Sequence, residues 1–306
     1  MAELFTSLEA VSLGKSWLTI GVFDGIHRGH QEIIYQLTAG AHQAGAPAVV
    51  LTFHPHPVTV ITGRQILCLT TPEERAEILF SLGVDVVILQ EFSIELAGHT
   101  AENYMANIQR QTGLQNLLIG YDFALGKDRA GTFDRLTQIG IETGFKVSAV
   151  EPVQFDGEVI SSTLIRNLVG EGKVQEAAEK LGRDYSISGI VISGDGRGRT
   201  IGIPTANVDV LAGKVIPKNG VYACWARFGA ERHPAVVNIG YRPTFTSGEV
   251  LPRIEAHLLD FSSDLYGKKV KLEFVQRLRD EQKFPSVDEL LKQINVDIHT
   301  ARGWMS

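Results

Sequence analysis

His27 and His30, with Gly29 between them, carry the strongest chemical signal in the chain. They sit in TIGVFDGIHRGH at 19–30, where an apolar run leads through Gly21, Phe23 and Asp24 into a turn and then a helix start. A helix N-terminus presents unpaired N–H groups and a positive dipole end, which suits phosphate. Two imidazoles at i and i+3 add donors on the same face, and Gly29 lets a ligand approach the backbone. The plain alternative is a pair of solvent-facing capping histidines. Other segments add to the pattern. FHPHP at 53–57 brings His56, and GYDFALGKDRAG at 120–131 brings Asp122, Phe123, Lys127 and Arg129. SSTLIR at 161–166 opens a helix with Ser162 and Thr163 and places Arg166 one turn on. Donors and cations converging from several strand ends are what a nucleotide-phosphate site requires.

The second half has its own cluster. SGDGRGRTIGIPTANV at 193–208 packs Gly194, Gly196, Gly198 and Gly202 with Arg197 and Arg199, ahead of Pro204. It is not a GxGxxG fingerprint, but successive N–H groups in such a loop can form an anion nest. Thr205 and Asn207 offer oxygen ligands to a hard cation such as Mg²⁺. In RIEAHLLD at 253–260, strand alternation puts Glu255 opposite Ile254 and Ala256 and on the side of His257, as an exposed carboxylate or a general base. Gly14-Lys15-Ser16 imitates the end of a P-loop, but Glu9 stands where that motif needs glycine.

The elements that must hold these residues alternate in the first half. Strands are expected at 18–23, 48–53, 84–90, 117–120 and 146–153, and helices at 29–45, 71–82 and 102–111. That alternation predicts a parallel sheet with helices on both faces, and ligands at the strands' carboxyl ends. Two short helices at 161–181, broken at 170–172, lead to a change of pattern near 183. Beyond it come β-type runs at 187–192, 220–228, 234–239, 253–259 and 269–275, and a closing helix at 287–301 capped by Ser286. Short strands without intervening helices predict an antiparallel barrel or sandwich. The expected division is 1–183 and 184–306.

Composition narrows the classes. The chain has 306 residues, 44% hydrophobic and 21% charged, with net charge −6. It is too apolar for a disordered chain and too acidic for a general binder of nucleic acid or anionic membrane. Two separated cysteines, Cys68 and Cys224, fit a reducing compartment. No basic segment followed by a long apolar run opens the sequence, so a cytoplasmic location is expected.

VFDGIHRGH, FHPHP, GYDF…GKDRAG, SSTLIR, GRGRTIGIPTANV, NGVYA, NIGYRPTF, EAHLLDF and DEQKFPS follow one another as in bacterial bifunctional riboflavin kinase/FAD synthetases, which the chain resembles over nearly its whole length. The resemblance implies a Rossmann-like nucleotidyltransferase half and a flavokinase β-barrel half, both using ATP and Mg²⁺. It implies riboflavin, FMN and FAD as substrates and products, with no nucleic acid or membrane partner and transient delivery of flavin to apo-flavoproteins. By motif, His27 and His30 stabilise ATP phosphates during attack by FMN phosphate, with Arg166, Ser162 and Thr163 holding phosphates and Asp122 near the nucleotide. Thr205 and Asn207 bind Mg²⁺ and ATP, and Glu255 takes the ribityl hydroxyl proton. His56, Phe123 and Phe284 are the expected flavin contacts. Two positions depart from the family: Leu125 and Ile203 stand where aromatics are usual, which predicts weaker or relocated flavin stacking. A flavin carrier without turnover is the contrasting class, against which Glu255 beside an intact PTAN argues.

Overall fold

The computed structural model describes residues 2–155, 157–194, 198, 201–243 and 250–305. Contacts divide the chain into two compact units, Met1–Ser162 and Thr163–Ser306.

The first unit is built on a six-stranded parallel sheet of order β1-β4-β3-β2-β5-β6. The strands are β1 (Glu3–Phe5), β2 (Ser16–Ile20), β3 (Ala48–His54), β4 (Val86–Glu91), β5 (Leu114–Gly120) and β6 (Lys146–Val150). The helices are α1 (Arg28–Gln43), α2 (Pro57–Thr62), α3 (Pro72–Ser81), α4 (Ile94–Ala97), α5 (Ala101–Thr112) and α6 (Phe133–Thr143). Alternation along β3 shows why both faces are covered. Val49, Leu51 and Phe53 enter one core with Met105, Ile108 and Leu136, whereas Ala48 and Val50 enter the other with Ile34, Leu37 and Leu79. Thr71 closes a capping box with Glu74 at the start of α3, as TTPEE predicts. A small hairpin, β7 (Gln154–Phe155) and β8 (Glu158–Val159), follows the sheet.

From Thr163 on, the second unit holds the rest of α7 (Ser162–Gly170) and then α8 (Val174–Leu181). Strands β9 (Tyr185–Ile192), β10 (Ala206–Val210), β11 (Gly220–Phe228), β12 (Glu231–Pro243), β13 (Val250–Leu258) and β14 (Lys269–Arg279) close a barrel of order β10-β13-β12-β11-β14-β9. Inward residues such as Ile187, Tyr222, Cys224, Ile254, Ala256 and Phe274 are buried. Helix α9 (Val287–Trp304) is capped by Ser286 and lies on the outer wall against β11, β12 and β14, with Ala301 packed on Val221 and Val236. Helix α8 packs on β9 and β14 and buries Val174, Ala177 and Leu181.

Three differences from the expected elements have physical reasons. The strand expected at 18–23 stops at Ile20, because the chain turns out of the sheet with Phe23 at φ 49° and Ile26 at φ 41°. Helix α6 is not expected, because only Leu136, Ile139 and Gly140 are buried and the apolar stripe is short. The PTAN segment reads as loop, yet Asn207 and Val208 pair with Ile192 and Val191 as β10. Five residues beside a Gly/Pro-rich loop are too few to show a period.

Candidate active sites

The sheet order grows from β2 toward β3 and β4 on one side and toward β5 and β6 on the other. β2 and β5 therefore flank a topological switch point, where open α/β sheets bind ligands. The loops after β2, β3 and β5 all leave from that carboxyl edge; they contain His27, His56 and Asp122 respectively, and His30 follows in the first turn of α1.

The loop after β2 is held in a conformation that L-residues rarely adopt. Phe23, Gly25 and Ile26 all have left-handed φ values, of 49°, 79° and 41°. Asp24 pins it: its carboxylate, 1% exposed, accepts from the N–H groups of Leu69 at 2.9 Å and Thr70 at 3.0 Å. The Thr70 hydroxyl accepts from the N–H of Gly25, and Ser162 donates to the Asp24 carbonyl at 2.9 Å.

That turn delivers His27 to the N-cap of α1, where its Nδ1 accepts from the His30 N–H at 3.4 Å. The proton of a neutral His27 is thereby left on Nε2. The two rings stack with centroids 3.6 Å apart and planes at 20°, and Phe23 meets His30 edge-on at 5.1 Å. A β-carbon at Gly29 would sit 3.2 Å from the His27 ring, so glycine is what lets the ring fold over the first helical turn. The capping alternative is thus half right: His27 caps, but it is only 6% exposed. His30 Nδ1 is buried without a hydrogen-bond partner. Burial first, then the His27 imidazole, then Arg75 hold its pKa well below the usual histidine value.

Arg75 is a residue the sequence reading does not single out. It lies on α3, 3% exposed, and its Nη1 donates to the Thr52 hydroxyl at 2.8 Å and the Phe53 carbonyl at 3.0 Å. Thr52 in turn donates to the Val22 carbonyl at 2.8 Å, so one guanidinium ties the end of β3 to the chain leaving β2. Its Nε is buried with no partner, and burial lowers its pKa against the opposing pull of Asp24. The available signal was its place one turn before Leu79 on the buried face of α3.

Gly21 lies where β2 ends, under the Phe23 ring. Asp122 is exposed in the turn after β5, with its carbonyl accepting from Arg129 at 3.1 Å. Phe123 packs against the sheet core, and Leu125 is buried within it, so position 125 is a packing position. His56 caps α2, its Nδ1 accepting from the Val58 N–H at 3.1 Å. Thr163 and Arg166 lie on α7, in the second unit.

In the second unit a cavity of about 740 Å³ gathers residues distant in sequence. Gly194, Gly198, Pro204, Thr205, Asn207 and Glu255 line one part of it. Phe284 lines another part, with the α9 residues Val287, Leu290 and Ile294. Ile203 lines it too, so this departure faces the ligand space. Register explains the polar part: Glu255 on β13 pairs with Asn207 on β10 and Asn238 on β12, forming a row across three strands on the outer wall. A β-carbon on Gly194 would collide with the Asn207 amide, so glycine permits that approach. His257 contacts the Pro204 carbonyl through Nδ1 at 2.8 Å and fixes the start of PTAN. Arg279 clamps Asp297 of α9 with contacts of 3.0 and 2.7 Å, and its guanidinium lies 5.8 Å from the Phe284 ring centre. Gly202 is in the loop before Pro204 at φ 80°. Gly196, Arg197 and Arg199 lie outside the described residues. Arg253 is the residue missed here. It contacts Glu255 at 2.6 Å and Asn207 at 3.3 Å, and lies two residues before Glu255 on the same face of β13.

Known proteins match both halves. The FAD synthetase family pattern covers residues 10–164 and the riboflavin kinase pattern residues 181–305. A bifunctional riboflavin kinase/FMN adenylyltransferase of Listeria monocytogenes is 36% identical over 291 residues, 94% of this chain and 92% of that one. That of Escherichia coli K12 is 38% identical over 288 residues, 93% and 91% of the two chains. A crystal structure titled macrolide-efflux protein, from Streptococcus pneumoniae, superposes with a TM-score of 0.91 at 31% identity over 99% of both chains. The chain belongs to the family of bifunctional riboflavin kinase/FMN adenylyltransferases.

Proposed function

We propose that the two activities of this bifunctional riboflavin kinase and FMN adenylyltransferase are divided between its halves, the first transferring adenylyl and the second phosphoryl groups. The observation that carries the reading is the separation of the chemistry. Imidazoles and a buried guanidinium gather at one sheet edge, and a carboxylate with two amides lines one barrel cavity.

In the second half, the 5′-hydroxyl of riboflavin attacks the terminal phosphorus of ATP, giving FMN and ADP. A hydroxyl holds its proton at neutral pH, so a base is needed, and Glu255 is the carboxylate in the cavity. Thr205 and Asn207 stand at alternate positions lining the same cavity and each carries a side-chain oxygen, a donor that suits Mg²⁺. Bound there with phosphate oxygens, Mg²⁺ would neutralise charge on the transferring group. The nucleotide loop is read as Gly194, Gly196, Arg197, Gly198, Arg199, Gly202 and Pro204, and Phe284 with the α9 face as the flavin side.

In the first half, a phosphate oxygen of FMN attacks the α-phosphorus of ATP, giving FAD and pyrophosphate. That nucleophile is already ionised, since the second pKa of a phosphate monoester is about 6. What the site must supply is positive field and donors, which His27, His30 and the N-terminus of α1 provide. Gly21, Phe23, Asp24 and Gly29 shape the turn, and Asp122, Ser162, Thr163 and Arg166 join this reading by motif. His56 and Phe123 are the flavin contacts proposed at this edge. Arg75 is a positioning residue that holds two loop origins together.

The efflux named for the pneumococcal structure is not carried over; no described helix is long and apolar enough to cross a membrane. A cytoplasmic location rests on the two cysteines, Cys68 and Cys224, standing far apart in the sequence as a reducing compartment suits, and delivery of flavin to apo-flavoproteins on the nature of the products. Incubating the chain with riboflavin and Mg-ATP and separating the flavins by thin-layer chromatography tests the reading. FMN should appear first and FAD second; accumulation of FMN with no FAD would remove the adenylyltransferase assignment of the first half.

A further inference from the structure

Arg253, Glu255 and His257 alternate along β13 and all line the same cavity. Within it Arg253 engages two groups at once. Its Nη2 lies 2.6 Å from Glu255 Oε1, and its Nε donates to Asn207 Oδ1 at 3.3 Å. One of these is the carboxylate read as the base, the other the amide oxygen read as a cation ligand. Both contacts occupy lone pairs that the kinase reaction needs. A guanidinium donating to Asn207 Oδ1 keeps a positive charge where it repels an arriving cation. Neither side chain is locked into the core: Arg253 is 29% exposed and Glu255 27%. Ion pairs so exposed are weak and exchange readily. A triphosphate offers several negative charges and a geometry that guanidinium matches with paired bonds, so it outcompetes a single carboxylate.

We propose that Arg253 is a hand-over residue of the kinase site. With no nucleotide bound it pairs with Glu255 and Asn207; when a nucleoside triphosphate enters, it turns onto the phosphates. That movement releases Glu255 to accept the hydroxyl proton and leaves Asn207 Oδ1 open. Glu255 and Arg253 Cα atoms stand two residues apart, about 7 Å along a strand, which a long arginine side chain spans by rotation about its own torsions. The proposal rests on the reading of Glu255 as the kinase base.

Its test is a binding cycle, independent of turnover. Four full-length chains are compared: one otherwise unchanged, Glu255→Gln, Arg253→Gln, and the double variant. All carry His27→Ala and His30→Ala to weaken nucleotide binding by the first half, and any residue of it cancels in the cycle. The probe is a non-hydrolysable ATP analogue with Mg²⁺, followed by calorimetry. Glu255→Gln frees Arg253, so it should tighten the analogue about fivefold when Arg253 is present and less than about twofold when it is glutamine. An equal gain in both backgrounds would mean that Glu255 merely repels phosphate, and would overturn the hand-over; so would no gain in either. Turnover separates the two ideas. A Glu255→Gln chain that keeps its kinase rate removes the base, whereas an additive cycle removes the hand-over and leaves the base standing.

Discussion

The two proposed sites share one reagent, ATP, and differ in how their side chains are carried. At the sheet edge the proposed groups are imidazoles and a buried guanidinium, gathered where a strained turn leads into α1. On the barrel wall they are a carboxylate, two amides and the arginine beside them on paired strands, partly open to solvent, with strand register fixing their row. The nucleophiles account for the difference. An ionised phosphate needs field and placement, which the proposed reading asks of His27, His30 and the N-terminus of α1. A hydroxyl needs a proton acceptor, which works best where it can exchange with water and still be aimed by neighbours.

The largest expected effect that would sharpen this contrast concerns Glu255. Glu255→Gln keeps the size and shape of the side chain but cannot take a proton. Riboflavin phosphorylation should fall by roughly 10²–10⁴-fold, riboflavin affinity should stay near that of the unchanged protein, and FAD formation from supplied FMN should be intact. A steady-state kinase rate within a few-fold of the original would leave positioning and charge to explain the chemistry.

Next in size is a stability difference inside the barrel unit. A fragment beginning at Thr163 retains α8, which buries Val174, Ala177 and Leu181. One beginning at Asp184 loses that cover. The longer fragment should be more stable by a few kcal/mol, at ~1.5–3 kcal/mol for each large side chain buried. Urea titrations of both fragments measure this, and equal midpoints would place α8 outside the kinase module.

A smaller effect belongs to Arg75. Arg75→Lys keeps the charge but loses the fork that joins the Thr52 hydroxyl and the Phe53 carbonyl. FAD formation should lose about tenfold in kcat with little change in KM for ATP, because the loops are misplaced and not emptied of ligands. The kinase rate should not move. A rise in KM alone would make Arg75 a ligand contact.

The smallest effect is a pH dependence. His30 has its pKa lowered by burial, by His27 and by Arg75. Between that folded value and the ordinary 6.5, the unfolded chain binds more protons than the folded one. Stability therefore falls as pH drops below 6.5, by at most about 1.4 kcal/mol per pH unit from this group. The real slope is smaller, since part of the ring reaches the surface. His30→Asn should flatten the acid limb of a melting-temperature profile between pH 7 and 5; an unchanged profile would show that His30 is not buried neutral.

How much of this could be read from the chain depends on how each site is made. The sheet-edge groups come in short contiguous runs after strands, so spacing alone exposes His27, Gly29 and His30. Asp24 was legible as a site residue, but its work as a buried pin was not, because its partners Leu69 and Thr70 lie 45 residues on or more. Arg75 hides on a helix whose caps, TTPEE, draw the eye. On the barrel, Glu255 and Asn207 stand out in their motifs. Asn238, Arg253 and Arg279 acquire meaning only through strand pairing and the docking of α9, which no local pattern records. The short β10 is missed for the same reason: its partners β9 and β13 make it a strand.

The claim that two complete sites share one chain is tested most directly by complementation. Two full-length variants, His27→Ala/His30→Ala and Glu255→Gln, are each given riboflavin and Mg-ATP, alone and mixed, and the flavins are separated. The first alone should stop at FMN, the second alone should leave riboflavin unchanged, and the mixture should produce FAD. FAD from the first variant by itself, or a mixture of two folded proteins that never passes FMN, would contradict the division of chemistry proposed here.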